Sequence, residues 1–417
     1  MTSAESALDR LHRSLAEFST DLGALGFAQQ GLANLTLVLT TACNLRCSYC
    51  YADNKVDRIR KWGVVGAALD LLRRRGLPDA DVLLYGGEPL VHPGMVRRVV
   101  EEIEAQWSLE TRPGIILCTN GTLLDSETLA WLVDHDVALQ ISSDGVEPAQ
   151  QLRGVDTFKV LDRVFRDVRR RFPDFFDRRV SAKLTLSSGN MSHLSASVRY
   201  LMSLGIRRIE VVPLNTHDTG WNETSSVVLE RELRDLRHAC LDSWQQTGEF
   251  PCTLFQGPAP HGERPEQRTT MCGIGSGTGV TVDVDGTTTL CDACIESFQR
   301  VRGPMHGSLL EMARICNIRD SSFDGNLAAA CRRVRSHGLF ANRRHKTSGY
   351  GKCRACSYIS ECSVCPASIA NIPRNTDLDR IPTNQCDFNM VSARQRELFR
   401  RDVERATEAR ARVVSPA

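Results

Sequence analysis

The sequence predicts an α/β fold in which an open, partial (β/α)6 barrel precedes a smaller, cysteine-rich α+β module. Three observations carry this. Six short apolar runs recur between residues 35 and 213, each followed by a stretch of helical spacing, and such alternation implies a parallel sheet with right-handed crossovers. The pattern stops near Asn215, two units short of the eight that close a TIM barrel. Past residue 270, cysteines gather around a β-hairpin signal.

A chain of 417 residues suggests two or three domains. The divisions expected are an N-terminal helix over 1–33, the barrel over 34–235, a bridging helix and linker over 236–270, the cysteine-rich module over 271–390 and a C-terminal helix over 391–417. Hydrophobic residues at 41% and charged ones at 24% exclude global disorder. A net charge of +2 provides no general field for nucleic acid or membrane. The first ten residues lack the basic head and apolar run of a signal peptide. No uncharged apolar stretch approaches the ~18 residues of a membrane span, so the expected location is the cytoplasm.

The N-terminal helix carries an apolar stripe, Leu8, Leu11, Leu15 and Phe18, which packs on the next domain or binds a partner. The strands are read at 35–40, 82–85, 115–118, 137–141, 180–186 and 209–213, and the helices at 64–74, 95–107, 127–133, 158–171 and 193–204. Asp125 is placed to cap the third helix, with Glu127 in its first turn facing the positive end of the dipole. A helical stretch over 227–244 leads into a Gly-, Pro- and His-rich linker at 256–265. Val280, Val282 and Val284 then alternate with polar residues, Asp285-Gly286 turns, and 287–290 returns as a hairpin. The basic run from Arg332 to Lys346 reads as a solvated loop or a site for an acidic partner, and the charged tail from Val391 as a surface helix.

Polar motifs follow the first four strands directly: Thr41 to Tyr51, Gly86-Gly-Glu-Pro89, Thr119-Asn-Gly121 and Ser142-Ser-Asp-Gly145. The C-terminal ends of barrel strands open on one face, so these motifs belong to one site. Sixteen cysteines without an export signal point to metal rather than disulfides. Cys43, Cys47 and Cys50, at C-x3-C-x2-C, can ligate three irons of a [4Fe–4S] cubane and leave the fourth open. The alternative, structural zinc, prefers four closed ligands.

These motifs resemble the radical S-adenosylmethionine (SAM) superfamily over about residues 34–215. The resemblance implies that Cys43, Cys47 and Cys50 bind the radical cluster and that Tyr49 lies near adenine. It implies that Gly86, Gly87, Glu88 and Pro89 hold the methionine amino group and that Ser142, Ser143 and Asp144 form the ribose-contacting strand end. Asn120 would belong to a companion turn, and Arg153 would lie near the methionine carboxylate. The implied activity is reductive cleavage of SAM to a 5′-deoxyadenosyl radical that abstracts hydrogen from an unactivated C–H bond, the protein supplying binding, orientation and exclusion of water.

The second constellation, Cys272, Gly286, Cys291, then Cys353, Cys356, Cys362, Cys365 and Cys386, is similar to the SPASM module, which holds two auxiliary [4Fe–4S] clusters. Two rather than three residues separate Cys362 from Cys365, a departure from that pattern. By resemblance Cys272, Cys291 and Cys365 bind the first auxiliary cluster, and Cys353, Cys356, Cys362 and Cys386 the second. Cys294 completes the first set, or an open iron contacts substrate. A zinc ribbon is the competing reading. Cys118, Cys240, Cys252, Cys316 and Cys331 are expected to pack as small hydrophobes. Asp292 matches the position at which the sulfatase-maturating branch places a proton acceptor; otherwise it is a hairpin-end carboxylate facing solvent. That branch has a further cysteine where this chain has Thr278, which argues against sulfatase maturation.

The function expected is oxidative maturation of a ribosomally made precursor peptide, by crosslinking or residue oxidation, with flavodoxin or ferredoxin as electron donor. Only about thirty residues precede the first strand, too few for a fused leader-binding domain of roughly 80–100 residues, so a separate protein or the enzyme's own surface would capture a leader. Dehydrogenation of a small molecule and a non-catalytic electron carrier are the alternatives.

Overall fold

Strands buried on both faces read as continuous apolar runs, and those of this sequence form the centre of a single sheet. The computed structural model describes residues 31–256, 273–340, 351–359 and 362–414. In chain order the barrel part comprises β1 (Leu32–Thr40), α1 (Trp62–Arg75), β2 (Gly76–Gly86), α2 (Pro93–Gln106), β3 (Gly114–Thr119), α3 (Ser126–Asp134), β4 (Ala138–Ser142), the short α4 (Glu147–Gln150), α5 (Thr157–Arg171), α6 (Pro173–Arg179), β5 (Val180–Leu186), α7 (Leu194–Ser203), β6 (Ile209–Pro213) and α8 (Ser225–Thr247). Then follow β7 (Gly279–Val282), β8 (Thr287–Thr289), α9 (Pro304–Ala313), β9 (Arg314–Asn317), α10 (Phe323–Ser336), α11 (Gly351–Arg354), α12 (Pro366–Ala370) and α13 (Thr383–Val414).

The sheet order is β6-β5-β4-β3-β2-β1-β7-β8-β9, with β1 to β6 parallel throughout. This is the expected partial barrel. Alternation along the strands gives the two faces different work. Val82 and Leu84, Ile115 and Leu117, Leu139 and Ile141, Ala182 and Leu184 join the main core under the helices. Leu83, Ile116, Cys118 and Ala138 form a separate cluster on the inner face.

The hairpin β7–β8 forms as expected, and Gly286 at φ +96° supplies the left-handed turn residue. Its placement adds something not expected: β7 pairs parallel with β1, so the strands of the cysteine-rich module extend the barrel's sheet. Arg60 pins this seam, donating from Nε to the Val38 carbonyl at 2.6 Å and from Nη2 to the Val282 carbonyl.

Several boundaries move. Helix α8 runs unbroken through the division expected at 235/236. The C-terminal helix starts at Thr383 rather than Val391, and it is not a surface helix. Phe388, Val391, Ser392, Gln395 and Phe399 are buried, and Phe399 meets Phe250 and Phe255 edge-on or tilted. Two of its charges pair with α8, Arg237 with Asp402 and Arg394 with Glu230, while Arg400, Arg401, Glu404 and Arg405 face solvent as expected. Arg332, Arg333 and Arg335 lie on α10, not in a loop. Cys240, Cys252 and Cys331 are buried as expected, whereas Cys118 and Cys316 are only partly so. The N-terminal helix, most of the expected linker, Arg343, Arg344, Lys346 and Cys272 lie outside the described residues.

Asp125 does cap α3, accepting from Thr128 N at 2.7 Å, and this bond holds its carboxyl below the usual range. Asp125→Ala is expected to lower stability by about 1 kcal/mol, read as a shift of the urea midpoint. A depressed carboxylate pKa adds stability above its unfolded value and loses it on acidification. The difference between wild type and variant should therefore shrink as pH falls through the carboxylate range.

Candidate active site

Loops at the C-terminal strand ends converge on the segment carrying Cys43, Cys47 and Cys50. That segment leaves β1 and is anchored by several neighbours. Ser48 N donates to the Leu152 carbonyl at 2.9 Å, and Lys55 Nζ to the Leu45 carbonyl at 2.8 Å. Asn120 Nδ2 bonds Asn44 Oδ1 at 2.9 Å and lies 4.0 Å from Cys43 Sγ, and Leu45 N donates to Cys43 Sγ at 3.4 Å. Burial pushes the Cys43 and Cys47 thiols up, while Lys55 acts against it at both and Arg153 at Cys47. The three thiols also act on one another electrostatically.

Glu88 is 1% exposed and its carboxylate ties two strand ends together. It accepts from Leu90 N at 3.0 Å, Thr119 Oγ1 at 2.7 Å and Asn120 N at 2.6 Å. Burial raises its pKa, and those three bonds oppose the rise. Gly87 N donates to the Thr40 carbonyl at 2.9 Å, and Glu88 N to the Ala42 carbonyl at 2.8 Å. The Gly86-Gly87 segment thus lies directly against the chain entering Cys43.

At the end of β4, Asp144 is fully buried and engaged on both oxygens. It accepts from Arg153 Nη2 at 2.9 Å, Thr185 N at 3.2 Å and the Tyr49 hydroxyl. The Arg153 guanidinium stands 5.5 Å from the Tyr49 ring centroid. Burial alone would lower the Arg153 pKa, but Asp144, Tyr49 and Cys47 outweigh it and hold the cation. Ser143, also buried, donates its N–H to the Lys183 carbonyl at 3.0 Å. Ser142, at the last position of β4, is partly exposed.

Cys291 and Cys294 follow β8 directly. The Cys291 thiol is raised first by its hydrogen bond to Cys294 and then by burial. Cys365 is pushed up to about 11 by burial, with Cys291 and Asp292 adding to it. Cys291, Cys294 and Cys365 therefore lie together. Cys353, Cys362 and Cys386 are partly buried against the core, and Cys356 N donates to the Cys353 carbonyl at 3.2 Å. Asp292 is exposed, and its charge reaches Tyr51, Tyr85, Cys118, Lys183 and Cys365.

A cavity of about 640 Å³ opens between these parts. Ser48, Tyr49 and Cys50 line it from the cysteine loop, Ser187, Ser188 and His217 from the ends of β5 and β6, and Arg302 and Asn371 from the C-terminal region. The Ser187–Gly189 and Asn215–Thr219 segments escaped the sequence reading, although extending the strand-end rule to β5 and β6 would have found them. For Arg302 and Asn371, joined at 3.0 Å, no local signal existed.

Two observations test these residues against an iron–sulfur cluster and SAM. Arg153 Nε is buried without a hydrogen-bond partner beside Tyr49, a donor left available for an anionic or carbonyl group. Among the described residues no three His, Cys, Asp or Glu side chains converge as on a single metal ion, whereas a cubane takes thiolates at separate iron corners. Three thiols on one loop, with two cations near, fit the cubane.

Residues 37–183 match the Radical SAM superfamily. The chain is similar to GTP 3′,8-cyclase 1 of Pseudomonas aeruginosa, 27% identical over 255 residues that make up 54% of this chain and 72% of that protein. It is also similar to the tungsten-containing aldehyde ferredoxin oxidoreductase cofactor-modifying protein of Pyrococcus furiosus, 28% identical over 41% of this chain and 49% of that one. The first curated relatives are matched over 30% to 62% of their own length. Among solved structures, native anSMEcpe with bound AdoMet and Kp18Cys peptide shares the fold, with a TM-score of 0.66 at 16% identity, over 90% of this chain and 99% of that one. Among the described residues no helix is long and apolar enough to cross a membrane.

Proposed function

We propose that the chain is a radical SAM maturase that oxidises a peptide residue by two electrons, one leaving with the abstracted hydrogen atom and the other passed onward. The observation that carries this reading is the shared cavity, in which the Cys50 loop, the β5 and β6 rims and Arg302 and Asn371 line one opening. An extended substrate lying there can meet the radical loop and the C-terminal region at once.

Cys43, Cys47 and Cys50 would hold the radical cluster, which when bound supplies the electron that cleaves SAM. The carbonyls of Gly86 and Gly87 would face the methionine ammonium, since the N–H groups of Gly87 and Glu88 are spent on β1 and the following loop. Glu88 accepts three bonds, and a carboxylate offers about four lone-pair sites, which leaves one for the same ammonium. Arg153 Nε would take the methionine carboxylate, and Tyr49 and Ser187–Gly189 would enclose adenine. Cys291, Cys294, Cys365 and Cys272 would hold one auxiliary cluster, and Cys353, Cys356, Cys362 and Cys386 the other. Asp292, between the auxiliary cysteines and the barrel interior, would take the substrate proton on Oδ2, Oδ1 already accepting from Ala293 N at 3.0 Å. Flavodoxin or ferredoxin would supply the first electron.

The volume of the cavity also suits a small molecule, and this supports dehydrogenation of a sugar alcohol as the second reading. Co-expression with each short reading frame beside the gene, followed by mass spectrometry, separates the two. A loss of 2 Da (about two hydrogens per event) is expected in one such peptide; unchanged peptides, with a sugar alcohol oxidised instead, would reverse the order. Absence of 5′-deoxyadenosine after reduction with dithionite in the presence of SAM would leave only an electron carrier.

A further inference from the structure

In a closed barrel the inner face is packed with branched aliphatic side chains. Here β3 to β6 place Cys118, Gln140, Lys183 and Glu210 on it, on the face opposite the main core. Cys118 Sγ lies 3.5 Å from Gln140 Oε1. Lys183 and Glu210 stand opposite each other on neighbouring strands, Nζ 3.2 Å from the carboxylate. An interior ion pair is no better for stability than well-packed apolar residues of the same size, so stability does not account for this one.

Lys183 is also open to an incoming group. Its side chain is 35% exposed although it points into the barrel. An ammonium carries three N–H donors, and the ion pair with Glu210 engages at most one of them. The Lys183 main-chain carbonyl accepts from Ser143 N at 3.0 Å and faces Arg153 Nη2 at 3.5 Å, so the residue stands level with the β4 end. Asp292 acts on it from the module side.

The charges around it select the group it can receive. A carboxylate entering would meet Glu210 and Asp292, and a cation would meet Lys183 itself. A neutral carbonyl can accept from the ammonium with neither repulsion, and a peptide main chain presents one at every residue. We propose that Lys183, held by Glu210, is a substrate-positioning residue that donates to a main-chain carbonyl of the peptide residue entering the barrel. This rests on the peptide reading above. The bond would fix the neighbouring C–H bond relative to Cys50 and Tyr49 before hydrogen is removed.

The test uses the reconstituted full chain with SAM and dithionite, and as probes the twenty capped amides N-acetyl-Xaa-N-methylamide. The readout is 5′-deoxyadenosine formation against probe concentration. At least one amide should accelerate it in the wild type. A hydrogen bond from a charged donor corresponds to about tenfold or more in affinity. Lys183→Met should therefore raise the half-saturating amide concentration by about that factor with a smaller change in maximal rate. Lys183→Gln, which keeps an N–H donor, should recover part of the loss, and Glu210→Gln should fall between. Equal half-saturation in wild type and K183M, or no recovery in K183Q, would overturn the assignment while leaving the peptide reading intact. If no amide accelerates the wild type, the peptide reading falls and the assignment with it.

Discussion

Arg153→Met is expected to cost about 3–5 kcal/mol of folding stability and to abolish tight SAM binding. The stability part follows from what Met would leave behind. Asp144 is fully buried, and its counter-ion is Arg153, 2.9 Å away and only 8% exposed. Removing one member of a buried pair strands the other, which costs more than the pair itself contributed. The Tyr49 hydroxyl and Thr185 N would still donate to Asp144, but neither carries charge. The urea midpoint should therefore fall strongly at an unchanged slope.

A second substitution separates the stranded charge from general loss of packing. In Arg153→Met with Asp144→Asn no carboxylate remains to be stranded, and about half or more of the stability should return. SAM binding should not return, because the buried Nε donor is gone in both variants. Arg153→Lys keeps the charge but neither the planar fork nor the stacking geometry against Tyr49. It should retain most of the stability and little of the affinity. Equal destabilisation of the single and double variants would refute the ion-pair account. Wild-type affinity in the Lys variant would refute the role of Nε.

These outcomes also mark what could be read from the chain alone. Cys43, Cys47, Cys50, Glu88 and Asp144 were legible because their signals are local, a fixed spacing or a position just past a strand. The strands β5 and β6 were legible to the residue because each is a short β-prone run bounded by polar loops. The start of β2 was not, since Pro78-Asp79-Ala80-Asp81 reads as a loop although Leu32 and Asn34 of β1 pair with Gly76 and Asp81. Nor was β9, four residues with Ile315 alone buried, whose existence depends on β8. Lys183 lies within the run read as a strand at 180–186, where nothing in the sequence singles it out. Its importance depends on which face becomes the barrel interior and on Asp292 arriving from a hundred residues downstream, information that no local pattern contains. The burial of Gln395 on α13 is of the same kind.

The sharpest local test concerns Gly87→Ala, expected to lower SAM cleavage by about a hundredfold, the scale set by a 1 Å misplacement of reacting groups. A Cβ at Gly87 would fall 2.7 Å from the Thr41 carbonyl oxygen and from the Ala42 carbonyl carbon, and closer still to the Ala42 oxygen. All three are backbone atoms, so no rotamer change relieves the clash. The two chains must separate, and the one that moves continues directly into Cys43. The Gly87 N–H bond to Thr40 and the Glu88 N–H bond to Ala42, which set the spacing between the cysteine loop and the Gly86–Pro89 segment, would lengthen together. Gly66→Ala provides the control. It sits inside α1 with nothing within 4 Å of a new Cβ, and should stabilise the protein by about 0.5–1 kcal/mol through helix propensity with cleavage unchanged. Measuring iron content, SAM binding and 5′-deoxyadenosine in both variants distinguishes a displaced loop from a general intolerance of added methyl groups. Full activity in G87A would mean that the close approach of β2 to the cysteine loop has no part in placing the cofactor.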